Sequence, residues 1–249
     1  MRRILTAIIF PWFFPLSYMI CAPIAIVGVV ISGNQDFAYT MGRFWSGLVL
    51  KVCGIKVKTR FLGPKTFNGP VIFACNHASQ MDILVLYRAL PVPFRFLVKK
   101  ELFKVPLLGY AMTKAGYIPI DRKNSRAAVK SIKEAAERLR KGASIVIFPE
   151  GTRSRDGRLQ RFKEGGFMLA VKSGCPVVPV AIKGSHKVLP KGAFIARPGL
   201  IEVTVGTPIE VISNDKKLSR SEISSLAHRQ LLAMLEGSEN TKEAKHGSM

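Results

Sequence analysis

The chain opens on a run, Ile4 to Gly33, without a single charged residue. That length exceeds the roughly 20 apolar residues a helix needs to cross a bilayer. Pro11, Pro15 and Pro23 interrupt it, and a proline inside a helix costs about 3 kcal/mol or more unless neighbours compensate. Met1-Arg2-Arg3 precedes the run, which by the positive-inside rule keeps the N-terminus in the cytoplasm. A single crossing would then place the remainder of the chain outside. The next apolar segment, Phe37 to Ile55, carries Arg43 and Lys51 and reads as an interfacial helix rather than a second span. These features predict a two-helix membrane anchor over residues 1–53 that stays in one leaflet, with two full spans as the alternative. A cleavable signal peptide fits poorly, because the run is too long and no small-residue cleavage site follows.

After Gly54 the pattern changes. Ile55, Val57, Thr59 and Phe61 alternate with Lys56, Lys58 and Arg60, as in a half-buried strand. Apolar runs at Val71–Cys75, Phe94–Val98, Tyr117–Ile120, Ser144–Phe148, Val177–Ile182 and Ile201–Val205 read as further strands. Ser79–Leu90 reads as a helix. Asn124 caps another, with Val129, Ile132, Ala136 and Leu139 as its apolar face and Gly142 at its end. Ser219-x-x-Glu222 is a capping box that opens a last helix through Leu235. Strands alternating with helices predict an α/β domain over residues 54–236, its sheet covered by helices. Residues 237–249 read as a disordered polar tail.

Charge narrows the range of partners. The chain has 249 residues and a net charge of +22, from 38 Lys+Arg against 16 Asp+Glu. Such a field implies a polyanion: nucleic acid, an anionic bilayer or a phosphorylated ligand. The apolar N-terminus beside it favours anionic membrane lipids, and the basic stretches lack the interleaved aromatics of single-strand nucleic-acid binders. Cys21, Cys53, Cys75 and Cys175 lie far apart without C-x-x-C spacing. They read as reduced thiols, and no metal site is expected.

Candidate chemistry sits where predicted strands end. Asn76-His77-Ala78-Ser79-Gln80-Met81-Asp82 runs from a strand end into a helix start, where α/β folds usually place their sites. A histidine can take a proton near neutral pH, and a carboxylate on its other ring nitrogen would fix the tautomer. His77 and Asp82 are therefore a candidate dyad. Ser79-x-x-Asp82 is equally a capping-box pattern, so Asp82 is also a candidate helix cap. Phe148-Pro149-Glu150-Gly151-Thr152-Arg153-Ser154 follows another strand with a turn, where Arg153 suits a phosphate through its planar fork. A solvated basic loop is the alternative. Gly116-Tyr117-Ile118-Pro119-Ile120-Asp121-Arg122 ends in a second phosphate candidate, Arg122, or in a plain Asp-Arg surface pair. Val178-Pro179-Val180 reads as an edge strand, a pocket wall or plain core. Cys75, two residues before His77 and on the same strand face, offers a covalent route, although a buried thiol is usually inert packing.

These four strings, NHASQMD, GYIPIDR, FPEGTRS and VPV in that order, resemble the four blocks of the glycerolipid acyltransferase family, specifically its bacterial 1-acyl-glycerol-3-phosphate acyltransferases. The resemblance covers roughly residues 50 to 210, and Pro119 stands where many members carry Phe. Residues 4–53 are similar to the family's two-helix membrane motif. The resemblance implies a mixed central sheet covered by helices, and transfer of an acyl group to lysophosphatidic acid from acyl-CoA or an acyl carrier protein thioester. It implies no other cofactor, and a place on the cytoplasmic face of the inner membrane. Position by position it implies His77 as general base, Asp82 as its orienting partner, and Arg122 and Arg153 on the acceptor's phosphate. Glu150, Gly151 and Thr152 would shape the glycerol site. Lys100 would also face phosphate, with Lys99 and Lys104 as alternatives. A non-catalytic basic membrane-binding module and an acyltransferase for another lysolipid are the rival readings.

Overall fold

In the computed structural model, which describes residues 2–121, 124–213 and 216–246, the charge-free run is one unbroken helix, α1 (Arg2–Ser32), with all three prolines inside it. Its neighbour is α2 (Asp36–Val52). Trp45 of α2 packs on Phe14 and Tyr18 with ring centroids 5.2 and 5.4 Å apart, and its Nε1 donates to Ser17 Oγ at 3.0 Å. These contacts lie across the proline-bearing stretch and supply support that a lone helix lacks. The outer side of α1 stays uncovered: Ile8, Trp12, Leu16, Met19, Ile24, Val27 and Ile31 are all exposed. Their spacing of three to five residues makes one stripe.

The chain after α2 builds a seven-stranded mixed sheet. Its elements are β1 (Ile55–Phe61), β2 (Ile72–Cys75), α3 (Met81–Ala89), β3 (Phe94–Lys99), α4 (Leu108–Lys114), β4 (Ile118–Ile120), α5 (Ser125–Arg140) and β5 (Ser144–Ile147). They continue as α6 (Met168–Ser173), β6 (Val177–Lys183), α7 (Ser185–Val188), β7 (Gly199–Val205), a small β8–β9 pair (Ile212–Ser213, Lys216–Lys217) and α8 (Arg220–His246). The strand order is β1-β7-β6-β2-β5-β3-β4. Pairing is parallel except between β6 and β7, so β1 and β7 run against the other five.

Alternating strand residues feed two cores, because successive side chains point to opposite faces. Phe73, Cys75, Val146, Val178 and Val180 face α2, α3 and the inner side of α1. Ile72, Ala74, Ile145, Ile147 and Val177 face α5, α6 and α8. The expected cap is present, with Asn124 Oδ1 accepting from Ala127 N at 3.1 Å. So is the capping box, with Ser219 N on Glu222 Oε2 at 2.8 Å and Glu222 N on Ser219 Oγ at 3.2 Å.

Three expectations need correction. Val129 is 44% exposed, whereas Ile132, Ala135, Ala136 and Leu139 are buried; at 3.6 residues per turn Val129 falls at the border of that stripe. Of the readings of Val178-Pro179-Val180, plain core holds, with Val178 and Val180 fully buried, and only the edge-strand alternative is corrected, since β6 is interior despite Pro179. The proline is tolerated because it sits just before the β6–β7 ladder begins at Val180, and only its carbonyl is used there, accepting from Gly206 N at 2.8 Å. The last helix does not stop at Leu235 but continues to His246, where Glu236, Glu239, Lys242, Glu243, Ala244 and Lys245 are good helix formers.

Candidate active site

β2 and β5 are adjacent, with Ala74 opposite Ile147, so the segments that leave their C-terminal ends must meet. His77 and Phe148 do so, their rings stacked with centroids 4.0 Å apart and 19° between planes. His77 Nδ1 lies 2.8 Å from Asp82 Oδ2. Asp82 is fully buried, and the same oxygen accepts from Ala78 N and Ser79 N, each at 2.8 Å. One oxygen of Asp82 thus serves both sets of neighbours. It satisfies backbone donors at the start of α3 and it holds the histidine. Ser79 does not complete a reciprocal box; its hydroxyl donates to Leu189 O at 2.7 Å and accepts from Met81 N at 3.1 Å.

An ionised carboxylate only accepts hydrogen bonds, so the proton of neutral His77 sits on Nδ1 and Nε2 keeps its lone pair. The His77 side chain is 16% exposed, enough for one edge of the ring to be reached.

The backbone around His77 is fixed from three sides. Asn76 exchanges two side-chain bonds with Ile182, Nδ2 donating to its carbonyl at 2.9 Å and Oδ1 accepting from its N–H at 2.7 Å. His77 N donates to Glu150 Oε1 at 2.6 Å, and His77 O accepts from Ser154 N at 2.7 Å. Glu150 is 3% exposed, and its other oxygen accepts from Gln160 N at 3.2 Å. Burial pushes its pKa up to about 7 from the ordinary 4.5, while the two backbone bonds pull the other way. Its carboxylate therefore supports the histidine loop instead of facing an open acceptor site. Gly151 turns the chain with φ of 76°, and a side chain there would press on Lys163 at 3.2 Å.

Beyond this turn the geometry loosens. Thr152 is exposed and Arg153 half-buried. Lys191 Nζ donates to Thr152 Oγ1 at 3.1 Å and to Arg153 O at 2.9 Å. Among the described residues the Arg153 guanidinium has no hydrogen bond or ion pair, so its planar fork is free for an anion. Lys100, just after β3, bonds Asp121, just after β4. That bond raises the lysine's pKa above its ordinary value. Lys100 is thus committed to a carboxylate in the structure. Arg122 lies outside the described residues.

Cys75 is wholly buried. Burial first, and the negative Asp82 second, hold its thiol well above its ordinary range, which disfavours the thiolate that a covalent route would need. Motif reading missed two functional neighbours. Phe148 reads as the end of a strand, with no sign of its stacking on His77, and Lys191 belongs to none of the four strings.

An apolar cleft of about 250 Å³ opens between the helical hairpin and the sheet, lined by Tyr18, Ala22, Met41, Trp45, Tyr87, Phe96 and Tyr117 among others. Phe96 stacks on Phe148 at 6.2 Å, and Phe148 stacks on His77, so rings connect the cleft to the dyad. A larger polar cleft of about 960 Å³, lined by Asp36, Arg95, Glu134 and Arg138, lies where β3 and β5 begin. That is the opposite edge of the sheet from His77.

Fold and site together define a mixed α/β scaffold with a hydrogen-bonded His77–Asp82 pair beyond the end of β2. The chain belongs to the acyltransferase family: a sequence model of that family, described as Acyltransferase, matches residues 54–183. It is 38% identical over 159 residues to the chloroplastic 1-acyl-sn-glycerol-3-phosphate acyltransferase LPAT1 of Arabidopsis thaliana, covering 61% of this chain and 44% of that protein. It is 35% identical over 165 residues to a 1-acyl-sn-glycerol-3-phosphate acyltransferase of Pseudomonas aeruginosa, covering 66% and 63%. For the protein of the same name in Borreliella burgdorferi the identity is 31% over 176 residues, covering 70% and 68%. The match spans about two-fifths of the length of the first plant relatives. Among solved structures, the 1-acyl-sn-glycerophosphate (LPA) acyltransferase PlsC of Thermotoga maritima superposes with a TM-score of 0.79, covering 97% of this chain and 98% of that one at 24% identity. That likeness supports the fold.

Proposed function

We propose that this protein transfers a fatty acyl group from a CoA or acyl carrier protein thioester to the sn-2 hydroxyl of lysophosphatidic acid, giving phosphatidic acid. The observation that carries the reading is the His77–Asp82 pair at 2.8 Å with Nε2 left free. The names of its relatives in P. aeruginosa and B. burgdorferi agree with it. Nε2 of His77 takes the hydroxyl proton as the oxygen attacks the thioester carbonyl. The tetrahedral intermediate collapses, the C–S bond breaks, and the imidazolium returns its proton to the departing thiolate. Asp82 stabilises the imidazolium in between. Arg153, and Arg122 by its place in the sequence, hold the acceptor's phosphate. The apolar cleft suits an acyl chain, since it is apolar and connected to His77 through Phe148 and Phe96.

The exposed stripe on α1 supports attachment of the α1–α2 hairpin to the cytoplasmic face of the inner membrane, because water would not tolerate so long an apolar surface. The test is an assay of the purified protein in detergent with lysophosphatidic acid and each thioester. Phosphatidic acid is the expected product, and none with either thioester sinks the reading. Arg153→Ala is expected to raise KM for the acceptor by about 10- to 100-fold with kcat little changed, the loss of a charge-assisted bond to phosphate.

A further inference from the structure

The chain between α7 and β7 makes an unusual loop. Its base is firm: Leu189 and Ala196 are 2% and 1% exposed, and Arg197 N donates to Val188 O at 2.8 Å across it. Ser79 Oγ adds a bond to Leu189 O at 2.7 Å, which ties the base to the start of α3. The tip is a tight turn, with Ala193 N on Pro190 O at 3.1 Å and Gly192 at φ of 91°. From this rigid frame Phe194 projects with 85% of its surface exposed, more than any other large apolar side chain among the described residues, and Ile195 beside it is 47% exposed.

The surroundings of the tip indicate what covers it. Lys187, Lys191 and Arg197 flank it, and no acidic residue occurs from Gly184 to Ile201. Two adjacent apolar side chains offer far too little area for a stable protein interface, which needs about 800 Å² per partner. An apolar point ringed by cations fits the boundary between anionic headgroups and acyl chains. The loop's base also packs into the same apolar core as Phe10 of α1, on the side of the sheet that carries the helical hairpin.

We infer that residues 189–198 form a second membrane contact, which inserts Phe194 and Ile195 into an anionic bilayer and holds Arg153 at the depth of the lipid phosphates. The link is Lys191, whose ammonium grips Thr152 Oγ1 and Arg153 O. Inserting the tip therefore sets the height of the anion-binding turn above the acyl chains. An acceptor lipid then meets Arg153 without leaving the bilayer. The inference rests on the lipid-acceptor reading above for its purpose, though not for its measurement.

Insertion is read in the full-length protein carrying Trp12→Phe, Trp45→Phe and Phe194→Trp, reconstituted into phosphatidylglycerol vesicles with and without bromine-labelled acyl chains. Bromine is expected to quench the introduced indole strongly. An indole that stays unquenched overturns the inference, whether water or a second copy of the chain surrounds it. This readout needs no turnover, so it stands apart from any failure of the acyltransferase reading. In the otherwise natural protein, Phe194→Ser with Ile195→Ser is expected to raise KM roughly fivefold for lysophosphatidic acid presented in those vesicles. With a water-soluble short-chain acceptor, KM and kcat should be unaltered. Equal kinetics on vesicles overturns the positioning role.

Discussion

Asp82, in the first turn of α3, and Asp121, just after β4, each hold a basic side chain, His77 and Lys100. Asp82 is fully buried and gathers three donors on one oxygen within a single turn of chain. Its partner is a short, planar ring pressed on Phe148. Asp121 holds the end of a flexible four-carbon stem, and that lysine is 47% exposed. Such an exposed pair is screened by water and adds little to stability. The first pairing fixes a direction in space, as proton transfer demands. The second fixes only a charge, which an incoming phosphate can draw away.

The largest effect should come from the side where direction matters. His77→Ala is expected to lower kcat by about 10³-fold or more with KM little changed, measured at saturating concentrations of both substrates. A variant that keeps a tenth of the wild-type kcat would break the contrast. Asp82→Ala should damage catalysis and fold together, because two buried N–H groups lose their acceptor at about 1–3 kcal/mol each. Chemical denaturation should show a destabilisation of a few kcal/mol that His77→Ala lacks.

Glu150 gives a pH-dependent test of the buried side. Its folded pKa is about 7 against an ordinary 4.5, so between these values the folded state keeps a proton that the unfolded state has released. The stability contributed is complete below the unfolded value and is lost as pH rises through about 7, amounting to roughly 3 kcal/mol. Glu150→Gln removes this titration. The stability difference between wild type and variant should therefore change between pH 5 and 8; a constant difference would mean that the carboxylate is already ionised throughout. The smallest effect is expected at the loose pair. Lys100→Ala should raise KM for the acceptor by roughly three- to tenfold and leave the denaturation midpoint unmoved. A fall in kcat with unchanged KM would place Lys100 on the directional side after all.

Local patterns carried much of this molecule. The alternation from Ile55 to Phe61 is the observed β1, and Asn124 and the Ser219–Glu222 box cap the helices they precede. His77 and Asp82 lie close enough in sequence for one turn to bring them together. Glu150 shows the limit. Its string reads only as a turn after a strand, and the adjacency of β5 to β2 is what reveals that its carboxylate is enclosed and bonded to the His77 peptide. Sheet order is a property of distant segments, so no local window contains it. Pro179 misled for a related reason: proline disfavours an interior strand only where its missing N–H faces a partner, and here the ladder starts one residue later. Lys191 had no signal in any string, since its role depends on a fold that returns it to Thr152.

The pairing of β1 with β7 also has a history during synthesis. Among the described residues, Ile55–Phe61 finds its only sheet neighbour in Gly199–Val205. At 5–20 residues per second the ribosome needs roughly 7–30 s to deliver that neighbour after β1 has emerged. Throughout this interval the hairpin and β1 exist without the sheet that will hold them. Lys56, Lys58 and Arg60 on the outer side of β1 guard the waiting strand against pairing with the wrong chain. The apolar helices ahead of it have time to settle before the histidine's pocket closes, so the nascent protein is placed before it is active.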